Sequence, residues 1–182
     1  MIILGIDPGS RKTGFGVVEK SGNHITHVEN GTFYLEDKES FAQRLVFLHE
    51  KIKEVITSFK PETIVIENIF YHKNPKSLQK LGEVRGVAIL SGALLGLEIF
   101  EYTPLEVKKA ITGHGTASKE QVQYMVRRLM KLKDVAEENA SDALALAFCH
   151  AQTNSKLAKL IKNTRTPLNR AKSLLEGASF YR

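Results

Sequence analysis

The chain has 182 residues, 42% of them hydrophobic and 25% charged, with 13 Gly and 5 Pro, which describes a folded domain with a sizeable core and excludes a disordered or fibrous chain. No run approaches the roughly 18 consecutive apolar residues of a membrane span, and the start MIILGID lacks the basic n-region and small-residue cleavage site of a secretory signal. The net charge of +6 is carried by the end of the chain: from Ala151 onward seven basic residues face one acid, Glu176, whereas residues 1–150 balance at 19 basic against 19 acidic.

In chain order, residues 2–6 (IILGI) are wholly apolar, as in a strand buried on both faces, and Asp7-Pro8-Gly9-Ser10 ends it. Thr13–Lys20 and His24–Tyr34 are β-branched and aromatic runs split by Ser21-Gly22-Asn23, the pattern of a hairpin. Phe41, Leu45, Leu48, Ile52, Ile56 and Phe59 repeat at helical spacing up to Lys60-Pro61. Thr63–Ile66 predicts a second buried strand ending at Glu67. Asn74-Pro75 opens a helix to about Leu97, and Glu98–Tyr102 a short strand. Thr103-Pro104-Leu105-Glu106 caps a further helix, Gly113-His114-Gly115 breaks the chain, and Ser118 to Gln121 form a capping box for a helix to about Leu132. A last helix spans roughly Glu138–Thr153. The single cysteine, Cys149, lies in the apolar run LALAFCHA and reads as a buried, inert thiol. These features suit a cytoplasmic protein with no membrane association.

The order β-β-β-α-β-α-β-α-α-α implies an α/β protein with a mixed five-stranded sheet flanked by helices. It resembles the ribonuclease-H-like fold.

Asp7 and Glu67 are each the first acid after a buried strand. If those strands are neighbours, both carboxylates emerge at one sheet edge, where α/β folds place their chemistry. An acid after a strand can instead cap a helix, but no helical pattern follows Pro8-Gly9. Asp142 opens an apolar helix with Glu138 and Asn139 on the same face. An acid in a first turn also simply complements the helix dipole, yet the small residues Ala140, Ser141 and Ala143 let this helix approach the sheet closely. Crowded carboxylates repel unless a cation neutralises them. Oxygen donors without His or Cys favour Mg²⁺ or Mn²⁺, and the implied chemistry is two-metal hydrolysis of a phosphodiester.

The stretches ILGIDPGSRKTGFGVV, IVIENIFYHKNPKSLQKLGEVRGVA, YTPLEVKKAITGHGTASKEQV and ASDALALAFCHA closely resemble the RuvC family of Holliday-junction resolvases over nearly the whole domain. The resemblance implies a crossover junction endodeoxyribonuclease. It would act as a homodimer that nicks opposed strands of a four-way DNA junction symmetrically, leaving 5′-phosphates and 3′-hydroxyls. It further implies two Mg²⁺ or Mn²⁺ ions per site and a branch-migration motor complex of the RuvA-RuvB type as partner. By position it makes Asp7, Glu67 and Asp142 the metal-binding carboxylates, Lys108 and Lys119 phosphate contacts, and Phe70 the aromatic that stacks on an unpaired base. Phe70 read by itself is an ordinary core residue, although stacking is physically plausible. Lys119 is suggestive independently, because a cation in a helix's first turn opposes the dipole. Arg11 and Lys12 sit in a turn beside Asp7 where a phosphate backbone could lie.

Two features depart from the family pattern. The fourth ligand, Asp or His in the family, is Asn139, an amide that can coordinate a hard cation without adding charge. Three readings stay open: this branch works with Asn, Glu138 substitutes, or an aspartate has been replaced. The alternative function that follows is a junction-binding protein with impaired cleavage. The other departure is the stretch 155–182, a basic C-terminal tail beyond a nuclease domain at 1–154; it reads either as a solvated terminus or as a grip on the junction arms. DPGSRKTGFG also resembles the phosphate loop of sugar kinases and actin-type ATPases, but those need two such domains, for which 182 residues leave no room.

Overall fold

The first strand, β1 (Ile2–Asp7), lies at the centre of the sheet. In the computed structural model, which describes residues 1–35, 39–68 and 74–153, it is followed by β2 (Lys12–Ser21), β3 (His24–Tyr34), α1 (Phe41–Phe59), β4 (Thr63–Glu67), α2 (Pro75–Leu94), β5 (Glu98–Tyr102), α3 (Pro104–Thr112), α4 (Lys119–Leu129) and α5 (Glu138–Gln152). The described strands form one mixed sheet in the order β3-β2-β1-β4-β5. β1, β2 and β3 pair antiparallel, and β1–β4 and β4–β5 pair parallel. This is the expected mixed five-stranded sheet flanked by helices.

Strand side chains alternate between faces, and here the alternation separates core from chemistry. Leu4 and Ile6 of β1, Val17 of β2 and Ile64 and Ile66 of β4 join Leu48, Ile52 and Ile56 of α1 and Val84 and Ala88 of α2 in one buried cluster. The opposite face, which carries Gly5, Gly14 and Gly16, lies against α5. A Cβ on Gly5 would stand 2.0 Å from the Ala143 carbonyl oxygen, and one on Gly14 1.9 Å from that of Asn139. Only glycine lets the helix backbone rest this closely on the strands. From Ala143 to Ala151 α5 is buried throughout, with α3 and α4 packed on its outer side.

Helix starts follow the sequence signals. Ser40, Thr103 and Ser118 each cap reciprocally with the third helical residue, and Asn74 accepts from the Lys76 and Ser77 amides. Two helix ends fall three residues short of expectation, at Leu94 and Leu129 instead of Leu97 and Leu132. Both close in Schellman-type turns. Gly96 adopts φ 78° while Leu97 N–H bonds the Gly92 carbonyl, and Lys131 adopts φ 53° while Leu132 N–H bonds the Arg127 carbonyl. Phe70 and the basic stretch 155–182 lie outside the described residues.

Candidate active site

Asp7 and Glu67 end adjacent parallel strands. Their pairing register runs Gly5 with Val65 and Ile6 with Ile66, so the two acids lie one step further on. Both share parity with the residues that face α5, not with those of the apolar cluster. Asp7 is flanked on its other side by its cross-strand partner Gly14, the residue over which the Asn139 backbone passes. The Pro8-Gly9 turn after Asp7 is tied down by buried Thr13, which donates to the Gly9 carbonyl at 3.1 Å and accepts from the Gly9 amide at 3.3 Å.

The electrostatics report the convergence. Burial raises the Asp7 carboxyl well above its ordinary value, and the charges of Glu67, Asp142 and Glu138 push it further, opposed by Lys119. Burial also raises Glu67, with Asp142 adding to it and Lys119 opposing. Asp142 is raised by burial, relieved by Lys119 and Lys108 and pushed up again by Glu138. Burial thus raises all three acids, with Glu67 and Asp142 adding to Asp7, Asp142 to Glu67 and Glu138 to Asp142, and the charges that relieve them are lysines.

The ammonium of Lys119 is bonded to Glu138 Oε1 and lies 3.7 Å from Asp142 Oδ2. Its charge is retained because the Glu138 hydrogen bond outweighs partial desolvation. Among the described residues no three His, Cys, Asp or Glu side chains stand close enough to enclose an ion. That spacing is physically coherent: mutually repelling carboxylates draw together only around a cation, and Lys119 fills part of that role here. Donor chemistry and charge deficit therefore fit a hard divalent ion.

Asp7, Glu67, Asp142, Lys119, Lys108 and the backbone of Asn139 come together, and Glu138 joins them. Arg11 is exposed on the β1–β2 turn, its carbonyl accepting from the Leu35 amide at 2.8 Å. Lys12, the first residue of β2, pairs with Glu137 at 3.0 Å. Glu137 also accepts from Tyr34 Oη at 2.6 Å. Neither Tyr34 nor Glu137 stood out in the sequence, and no local signal could have found them, because the contact spans 103 residues. Cys149 is buried, and its thiol is pushed up to about 12, so it takes no part in the chemistry.

The family described as Crossover junction endodeoxyribonuclease RuvC matches residues 3–150. The protein of that name from Geotalea uraniireducens is 47% identical over 162 residues, covering 89% of this chain and 94% of its own. The structure of Thermus thermophilus RuvC in complex with Holliday junction substrate superposes with a TM-score of 0.78 at 32% identity, covering 83% of this chain and 93% of that one. The yeast mitochondrial Holliday junction resolvase Ydc2, at 14% identity, 82% and 77% coverage and TM-score 0.61, shares the fold.

Proposed function

The chain belongs to the RuvC family of crossover junction endodeoxyribonucleases, and from that premise we propose that Asp7, Glu67 and Asp142 are the metal-binding acids with which it resolves four-way DNA junctions. The observation that carries this assignment is the convergence of the three carboxylates on the α5 face of the sheet, each raised by burial or by its neighbours and relieved by Lys119.

Bound divalent ions, Mg²⁺ or Mn²⁺ and two per site, supply water activation and stabilisation of the leaving oxygen. The chain's own groups do the rest. Asp7, the most buried acid, anchors the inner side of the site, and Glu67 and Asp142 close it from β4 and α5. Asn139 contributes an amide oxygen from the turn preceding Asp142, and Glu138 lies near enough to add charge. Lys119 exchanges its carboxylate contacts for a non-bridging oxygen of the scissile phosphate, and Lys108 supports it from α3. Arg11 follows the backbone on the β1–β2 side, and Phe70, three residues past Glu67, stacks on an unpaired base at the crossover.

Cutting two opposed strands requires two sites, and a homodimer supplies them. The support in this chain is α2, which leaves Leu90 and Leu94 exposed and has open space over Gly82 and Gly86. We assign the enzyme to the cytoplasm, in company with a branch-migration motor complex of the RuvA-RuvB type; no described helix is long and apolar enough to cross a membrane. The basic stretch 155–182 is assigned to the junction arms, because the charge excess of the chain lies there. The alternative of a junction-binding protein impaired by Asn139 draws no support from the relatives.

A labelled mobile four-way junction, incubated with the chain with and without Mg²⁺ or Mn²⁺ beside a matched linear duplex, tests the proposal. Paired symmetric nicks confined to the junction support it. Equal cutting of the duplex would make the protein a general nuclease.

A further inference from the structure

We propose that Tyr34, Glu137 and Lys12 form a clamp that fixes the first turn of α5 on the sheet and thereby sets how Asp142 meets Asp7 and Glu67. The proposal rests on the metal-site assignment above and adds positioning residues to it.

Glu137 occupies the N-cap position of α5, where its carbonyl accepts the first helical hydrogen bond, from the Ser141 amide at 2.8 Å. Its side chain points back to the sheet. One carboxylate oxygen accepts from Tyr34 Oη at 2.6 Å and the other from Lys12 Nζ at 3.0 Å. Lys12 and Tyr34 are cross-strand partners on β2 and β3, and the Lys12 ammonium stands 4.9 Å from the centroid of the Tyr34 ring. One residue therefore ties the helix backbone to two strands. The phenol holds the Glu137 carboxyl below its ordinary value, with Lys12 adding to the effect, as for a carboxylate that stays charged and bonded.

At the far end of α5, Lys20, also on β2, donates to the Ala151 carbonyl. The same strand thus grips both ends of the helix. Between them Gly14 and Gly16 leave no side chain as a buffer: a Cβ on Gly16 would stand 2.7 Å from the Leu144 nitrogen. A shift of the first turn passes directly to Asp142, five residues after Glu137. A single exposed ion pair holds little, but a phenol and an ammonium converging on one carboxylate restrict its rotamer as well as its charge.

The clamp gives Lys12 a different job from a phosphate contact, and the two make opposite predictions. In the full-length chain, Tyr34→Phe and Glu137→Gln would be compared with wild type for Mn²⁺ binding by titration calorimetry without DNA, and for junction binding without metal. The clamp predicts Mn²⁺ binding weakened about three- to tenfold in both variants, below the loss typical of a group bonded directly to a ligand. It also predicts unchanged metal-free junction affinity, and Lys12→Arg retaining wild-type Mn²⁺ binding where Lys12→Met does not. Unchanged Mn²⁺ affinity in both variants overturns it. So does tighter metal-free junction binding by Glu137→Gln, which would mean that Glu137 merely withholds Lys12 from DNA. Tyr34→Phe removes one hydroxyl from an exposed side chain, so the test does not hang on a variant that fails to fold. Asp7→Asn serves as the reference. If wild type binds Mn²⁺ no better than Asp7→Asn, the metal-site assignment fails and the clamp with it.

Discussion

Lys119 Nζ stands 3.7 Å from Asp142 Oδ2 while bonded to Glu138, which puts a helix-start lysine among the acids it would ordinarily serve only from outside. A cation in the first turn of α4 gains nothing from the helix dipole, and its position is explained by the charge it relieves. Lys119→Met should slow single-turnover junction cleavage by about 100-fold, the scale on which a lost charge-stabilising donor acts. Junction affinity without metal should fall far less. Equal losses in binding and cleavage would make Lys119 a plain DNA contact.

The glycine track under α5 makes a steric prediction. Gly14→Ala would drive a methyl into the Asn139 carbonyl, 1.9 Å from the Cβ position. The helix start must move, so the variant should lose about 1–3 kcal/mol of stability, bind Mn²⁺ more weakly and cleave more slowly. Denaturant unfolding and calorimetry would check both effects. Wild-type stability would contradict the close approach.

His150, far along α5 from the acids, sets part of the acid stability. Burial pushes its imidazole down from 6.5 to about 4, with Lys20 adding to the shift. Its Nδ1 is 3.0 Å from Tyr102 Oη, and its ring lies 4.3 Å from that of Phe100. The unfolded chain takes up this proton near 6.5 and the folded chain only near 4, so between those values the unfolded state binds more protons. Stability from this group is complete above 6.5 and is lost as the pH falls towards 4. Denaturant unfolding at about pH 7 and about pH 5 should show a fall of which His150 supplies about 2 kcal/mol. In His150→Gln that share should vanish. An equal fall in both proteins would show that His150 is not the group responsible.

The tail is testable through salt. Residues 155–182 hold the seven basic residues that give the chain its excess charge, and each phosphate they neutralise steepens the salt dependence of binding by about 0.9 in the log–log slope. Removal of 155–182 should therefore give a shallower slope for junction binding. An identical slope would leave the tail as solvated charge.

The succession of strands and helices, the hairpin, the helix starts and the three acids could all be read from the sequence because each rests on local chemistry: apolar runs, capping boxes, an acid closing a buried strand. Helix ends were less legible. At α4 the left-handed residue is Lys131, with φ 53°, and no glycine announces it. The Tyr34–Glu137 bond was invisible for a different reason: both residues look like ordinary solvated side chains until sheet pairing and helix docking bring distant segments together. The pairing of Lys12 with Glu137 has the same origin. Its place just after the β1–β2 turn is legible, whereas the carboxylate it meets is set by tertiary packing.

The most direct test of the central assignment sets Asp7→Asn against wild type on one four-way junction. The substitution keeps the side chain's shape and removes the charge at the innermost position of the site. Metal-free junction binding should be retained, and cleavage in Mg²⁺ or Mn²⁺ should be abolished. The variant should also melt higher than wild type without metal, because a buried, repelled carboxylate has been neutralised. Cleavage by Asp7→Asn at the wild-type rate would contradict the assignment of Asp7, Glu67 and Asp142 as the site of the reaction.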